Sequence, residues 1–302
     1  MEPRALEPRV LRPRALSVDA SGMTFGALAW GDTEAPLALL VHGYPDTAWT
    51  WRHLGPVLAQ RGWHAVAPFT RGYAPTDLAP DDSYLIADQV SDIIRLEAAL
   101  QGSGPSVLIG HDWGAVATWS VTQHHPTTFA RYVALSVPPT ATVIRAFASP
   151  RSLRLGLRQA RMSWYFLYNQ LPGAERGLDR VIPRLWRDWS PGYDAREDLR
   201  HVWEALEGPG RRRAVLRYYR DNLQQGLAQT VSISPGAPAL ALHGERDGCM
   251  HPALAAVQRA TLVAGSRFTI VSGAGHFVQL EQPDQVNALI TGWLAESSAA
   301  DR

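Results

Sequence analysis

The chain has no lysine, so all 29 of its Lys+Arg residues are arginine. Against 28 acidic residues the formal net charge is only +1, and that excludes nucleic acid as the main partner, because phosphate binding needs a clear basic excess. Cysteine is nearly absent. Cys249 stands alone, which rules out an internal disulfide and a multi-cysteine metal site and fits a reducing, cytoplasmic compartment. No apolar run approaches the ~18 residues that a membrane span needs, and the first residues lack the apolar stretch of a signal peptide. What remains is a 302-residue chain, 46% apolar and 19% charged, within the range of globular enzymes and long enough to bury a large core.

Residues 1–15 echo one short Arg/Pro-rich phrase three times, too few for a repeat fold and too proline-rich for a helix. Residues 1–20 therefore read as an arm or an edge-strand lead-in, and a strand is expected at 24–30. Short unbroken apolar runs at 37–41, 64–69, 106–109, 133–137, 239–242 and 268–271 alternate with helical patterns at 49–61, 85–100, 115–124, 252–263 and 283–295. That alternation predicts an α/β fold, a doubly wound and mostly parallel sheet covered on both faces. The rhythm breaks over 138–229, which is rich in Arg, Trp and Tyr. A helical lid inserted over the carboxyl ends of the strands is expected there, with the core formed by 21–137 and 230–296.

Gly110-His111-Asp112-Trp113-Gly114 lies between a predicted strand and a helix. Glycines two positions either side of one residue allow the sharp turn that presents a nucleophile, and here the presented residue is Asp112. A helix-capping role for Asp112 is the bland alternative. Two later loops weigh against it: Gly244-Glu245-Arg246-Asp247-Gly248 follows the next-to-last strand, and Gly273-Ala274-Gly275-His276-Phe277 follows the last. Nucleophile, acid, histidine is the chain order of a hydrolytic triad on such a sheet. Asp247 is the expected acid, with Glu245 its rival; no Asp or Glu occurs between Ala130 and Ala174 to place the acid one strand earlier. His42-Gly43-Tyr44-Pro45 follows the strand ending at Val41 and suits an oxyanion hole formed by the backbone N–H groups of Tyr44 and Trp113.

Together H-G-Y-P, G-H-D-W-G, G-E-R-D and G-A-G-H-F resemble the epoxide hydrolases and haloalkane dehalogenases of the α/β-hydrolase superfamily, over residues 21 to 296. The resemblance implies attack by Asp112 on a saturated carbon, giving an alkyl ester that water, activated by His276 and Asp247, then hydrolyses. The leaving group separates the two families. An epoxide oxygen leaves as a basic alkoxide and needs a proton donor, whereas a halide needs only N–H donors. The segment Trp164 to Gly173 is similar to the epoxide hydrolase lid stretch in which a tyrosine precedes Pro-Gly, which selects Tyr165; Arg217-Tyr218-Tyr219-Arg220 resembles the second lid stretch and selects Tyr219. Tyr168 and Tyr218 are the near alternatives. Trp113 favours the dehalogenase and Tyr44 disfavours it.

The reading is an epoxide hydrolase acting on a small apolar epoxide with water, needing no cofactor and no metal. Dehalogenation, or ligand binding without turnover, are the alternatives. Trp113, Trp164 and Phe166 are expected in the substrate pocket, with Trp186 and Trp189 helping the lid to shape it. Arg151, Arg154, Arg158 and Arg161 read as a solvated helix face, Cys249 as packing, and His42 as support for the oxyanion loop. A homo-oligomer is compatible with the sequence.

Overall fold

The apolar runs become strands so enclosed that every residue of β3 (Leu37–Val41), β4 (His64–Pro68), β5 (Val107–His111) and β7 (Ala239–Gly244) is buried. This computed structural model describes residues 12–148, 153–229 and 233–300. With β1 (Arg14–Ala20), β2 (Met23–Trp30), β6 (Arg131–Leu135) and β8 (Arg267–Val271), these strands form one sheet in the order β1-β2-β4-β3-β5-β6-β7-β8. Pairing is antiparallel for β1 with β2 and β2 with β4, and parallel elsewhere. Leu39 sits centrally, opposite Val66 on one side and Leu108 on the other.

The helices divide into two groups. α2 (Ile86–Leu100) and α3 (Trp113–His124) pack together and against β1, β3, β5 and β6, while α1 (Leu54–Ala59) and α12 (Pro283–Ala300) pack together and against β2, β4 and β7. On α2 the buried residues Ile86, Gln89, Val90, Ile93, Leu96 and Glu97 recur every three to four positions, the spacing of one helix face. Between β6 and β7 the chain inserts α4 (Thr140–Ala148), α5 (Leu153–Met162), α6 (Trp164–Gln170), α7 (Leu178–Trp189), α8 (Arg196–Ala205) and α9 (Arg211–Gln229), where a helical lid was expected. α10 (Pro252–Gln258) and α11 (Val278–Glu281) complete the fold.

Three expectations are corrected. Residues 14–20 of the expected arm form the edge strand β1, paired along its whole length with β2; residues 1–11 lie outside the described residues. Ser21 and Gly22 join the two strands with φ of 54° and 72°, the paired positive angles of a tight hairpin. The helix expected over 49–61 is divided into a single 3-10 turn, Ala48–Trp51, and α1, because the Thr47 side chain accepts the Trp49 N–H and starts a separate turn. The strand expected at 133–137 runs two residues earlier, since Ser136 takes a φ of 67° and ends it. Arg154, Arg158 and Arg161 are exposed on α5, as a solvated face requires, and Arg151 lies outside the described residues.

A part-buried ion pair joins the helices inserted after β6 to the chain just before α1. Arg52 places Nη1 2.6 Å from Asp198 Oδ1, and the Tyr193 hydroxyl donates to Asp198 Oδ2 at 2.7 Å. Asp198 is 2% exposed, so removing Arg52 strands its charge away from water. Arg52→Ala is expected to cost about 3–5 kcal/mol, read as a lower urea midpoint at unchanged slope.

Candidate active site

Four turns at the carboxyl ends of β3, β5, β7 and β8 bring Tyr44, Asp112, Asp247 and His276 to one edge of the sheet. Asp112 occupies φ 53° and ψ −117°, a backbone state rare outside glycine. The flanking glycines are there for space. A Cβ on Gly110 would lie 2.2 Å from the Gly114 carbonyl oxygen, and one on Gly114 would lie 2.1 Å from that of Val41. The turn lifts the Asp112 carboxylate toward the β3 loop, where Oδ1 accepts the Tyr44 N–H at 2.8 Å. Gly43 is equally constrained, because a Cβ there would meet Asp112 Oδ1 at 2.3 Å and the Trp113 nitrogen at 2.5 Å. The Trp113 N–H opens α3, in the first turn whose donors have no carbonyl within the helix.

His42 holds this loop as expected. Its Nδ1–H donates to the Gly43 carbonyl at 2.9 Å and its Nε2 accepts the Thr70 N–H at 3.0 Å. Burial lowers its pKa to about 4, so the ring stays neutral in this tautomer. The Tyr44–Pro45 peptide is cis.

Asp247 and His276 meet directly: Nδ1–H donates to Asp247 Oδ2 at 3.0 Å. The other oxygen of Asp247 accepts the N–H groups of Cys249 at 2.7 Å and Met250 at 2.9 Å, which fixes the carboxylate. Glu245, the rival acid, is exposed and accepts the Gly273 N–H at 2.9 Å. His276 is fully buried, with Nε2 3.5 Å from Asp112 Oδ2. The lid helps to hold it. The Trp189 carbonyl, at the end of α7, accepts the N–H of His276 at 3.1 Å and that of Gly248 at 3.0 Å. Burial opposes a charged imidazole, yet Cys249 and Asp247 by charge, and Asp112 and Asp247 by hydrogen bonding, lift His276 well above its ordinary pKa. Cys249 acts only when ionised and burial raises its own pKa, so at neutral pH the two aspartates carry the effect.

Tyr165 on α6 and Tyr219 on α9 are buried and line, with Asp112, a cavity of about 390 Å³. Their rings meet edge to face at 5.6 Å. Burial pushes both phenols well above their ordinary pKa, reinforced at Tyr219 by the charge of Asp112. The near alternatives are engaged elsewhere. Tyr168 donates its hydroxyl to the Ala174 carbonyl at 3.0 Å, and Tyr218 to that of Arg71 at 2.8 Å.

Trp113 and Phe166 line the cavity, whose walls are otherwise largely aliphatic, including Val116, Val137, Ile144 and Leu223. Trp164 is not among the lining residues; it is half-buried with the Arg184 guanidinium 4.5 Å above its ring. Trp186 and Trp189 also lie behind the cavity wall, Trp186 stacked on Phe277 at 3.6 Å and Trp189 edge-on to His276 at 5.0 Å.

Cys249, read from the sequence as buried packing two residues after Asp247, is buried and also faces the cavity, its Sγ 3.3 Å from the Tyr165 hydroxyl. Sequence reasoning missed two contributors. Ser136 Oγ donates to the His276 carbonyl at 2.6 Å, and His111 Nε2–H donates to the same oxygen at 3.0 Å. Their partner is a backbone atom 165 residues beyond His111, which no local pattern announces.

A family model described as the alpha/beta hydrolase fold matches residues 36–283. Epoxide hydrolase A of Mycobacterium tuberculosis is 30% identical over 92% of this chain and 96% of its own. The crystal structure of epoxide hydrolase A from Mycobacterium thermoresistibile is similar with a TM-score of 0.70 at 28% identity, covering 94% of this chain and 98% of that one. That of an epoxide hydrolase from Vigna radiata gives 0.74 at 25% identity, with coverage of 94% and 98%. The chain thus belongs to the alpha/beta hydrolase fold family and, within it, to the epoxide hydrolases that its motifs resemble.

Proposed function

We propose that the chain hydrolyses an apolar epoxide to a vicinal diol through an alkyl ester on Asp112. One observation carries the reading. A carboxylate with one oxygen held by a backbone N–H shares an apolar cavity with two buried phenols. Asp112 Oδ2, the oxygen turned toward His276, attacks a ring carbon and the carbon–oxygen bond opens. The departing oxygen takes a proton from Tyr165 or Tyr219, whose raised pKa values keep both phenols protonated and bring them closer to the basicity of an alkoxide.

Ester formation cancels the charge of Asp112, and this prepares the second step. One of the two aspartates sustaining the imidazolium is then neutral, so the pKa of His276 falls, its proton passes to the phenolate left by the first step, and the ring becomes a base. It takes a proton from water, which attacks the Asp112 carbonyl carbon. Oδ1 becomes the oxyanion, facing the Tyr44 N–H that already binds it and the Trp113 N–H beside it. Collapse breaks the ester bond, the second proton of the water goes to the departing oxygen of the diol, the carboxylate is restored, and the proton taken by His276 restores the imidazolium.

The epoxide hydrolase relatives support the same reaction. The deciding assay offers the protein an aryl-substituted epoxide and a bromoalkane of similar size, measuring diol and bromide. Diol from the epoxide is expected; bromide release without diol overturns the reading in favour of dehalogenation.

A further inference from the structure

Cys249, His276 and Asp112 form, among the described residues, the one group of three potential metal ligands close enough to share an ion. Their Sγ, imidazole nitrogen and carboxylate oxygen all lie within 4.8 Å of one another, and all three side chains are buried. All three can turn an atom to a shared ion. Among the described residues His276 Nε2 has no hydrogen-bond partner other than the long contact to Asp112 Oδ2 at 3.5 Å. Asp112 keeps Oδ2 for the ion because Oδ1 is taken by Tyr44, and the Cys249 thiol is in no disulfide and meets the Tyr165 hydroxyl at 3.3 Å. We propose that this triad is a Zn2+ site at the mouth of the nucleophile, through which the ion reversibly blocks the pocket.

The spacing of His276 and Asp112 is that of two ligands on a tetrahedral ion. Two ligands at typical Zn–N and Zn–O lengths stand roughly 3.3 Å apart on a tetrahedron, and His276 Nε2 and Asp112 Oδ2 are 3.5 Å apart. The imidazole is already oriented as zinc ligands usually are, its far nitrogen donating to a carboxylate, here Asp247 at 3.0 Å. One thiolate, one imidazole and one carboxylate make a borderline-soft set that suits Zn2+, whereas Mg2+ and Ca2+ require six or more oxygens. The fourth position opens onto the cavity that Asp112 and Cys249 line, and it is filled by water. Binding releases to solvent the thiol proton of Cys249 and the Nε2 proton of the imidazolium, and it occupies the lone pair so freed on His276 together with one on Asp112. A single cysteine excludes only a multi-cysteine site, and here it is one ligand of three. The fold supplies the other two ligands from loops 137 and 27 residues away.

Binding and blockage are separable. Blockage rests on Asp112 and His276 being the working groups, whereas binding does not depend on what the pocket hydrolyses. Co2+ added to the metal-free protein reports the ligands directly, because a thiolate-to-cobalt charge-transfer band can arise only from Cys249, the sole cysteine. One equivalent of Co2+ should produce that band, and Zn2+ should abolish it. Cys249→Ser and Cys249→Ala should both lose the band and bind Zn2+ at least tenfold more weakly by calorimetry. In turnover, Zn2+ should compete with epoxide, and each variant, measured against its own metal-free rate, should need at least tenfold more Zn2+ for half inhibition. No band in the wild type overturns the site even if the variants fail to fold. Equal Zn2+ affinity in the wild type and both variants overturns it as well.

Discussion

Treated with an apolar epoxide, His276→Gln should accumulate on Asp112 an adduct one substrate mass heavier than the protein. Ester formation needs an ionised Asp112 and a proton donor, and the substitution leaves both intact. Hydrolysis needs a base for the attacking water, and glutamine cannot accept that proton at neutral pH. The block therefore falls after the covalent step, and intact-protein mass spectrometry reads it directly. Asp112→Ala should form no adduct and lose turnover by a factor on the order of 10⁴ or more. An isotope test follows from the same bond changes. Water attacks the carbonyl carbon of Asp112, so a single turnover in 18O-labelled water should leave the label in the enzyme and not in the diol. An unmodified His276→Gln protein, or a first-turnover diol carrying the label, would replace the ester route with direct attack of water on the epoxide.

The residues proposed to carry this chemistry were legible because each sits in a local pattern with a physical cause. Gly110 and Gly114 are glycines because no Cβ fits, and the residue between them is presented by the same crowding. Asp247 and His276 each follow an apolar strand through a glycine-bearing turn. In the structure Gly248 and Gly275 make room for the end of α7, with Gly248 Cα so close that a Cβ would lie 1.9 Å from the Asp188 carbonyl oxygen. The sheet was legible for a related reason, since strands buried on both faces leave unbroken apolar runs. Strand β1 was not, because as an edge strand most of its residues are exposed or half-exposed and its sequence, RALSVDA, mimics a polar arm. The cavity contacts of Cys249 were not legible for a different reason. A lone thiol has no partner in sequence, and its neighbours His276, Asp112 and Tyr165 arrive from three separate elements. The pocket walls divide likewise. Trp113 was found through the elbow, while Trp164 was chosen for its aromatic character and turns out to pack under Arg184.

Replacing Tyr165 and Tyr219 together by phenylalanine should depress epoxide opening far more than either change alone. Losing a general acid typically costs 10²–10⁴ in rate, here expected to be about 10⁴ for the pair. Either single change should cost at most about tenfold, because the remaining phenol still donates to the opening oxygen. The asymmetry follows from the geometry. Both phenols line the same cavity with their rings 5.6 Å apart, so one oxygen held between them keeps a proton donor when the other is lost. With both gone the alkoxide must leave unprotonated into a wall of Val116, Val137 and Ile144, where desolvation makes the charge costly. The hydrolytic half-reaction provides the control. It takes place on the Asp112 side, at the Tyr44 N–H and His276, so an adduct once formed should be hydrolysed by the double variant at close to the wild-type rate. Single-turnover kinetics separate the two steps. Additive single losses, their logarithms summing to that of the double variant, would mean that each phenol does a distinct job. No loss in the double variant would move the proton donor to another group in the cavity.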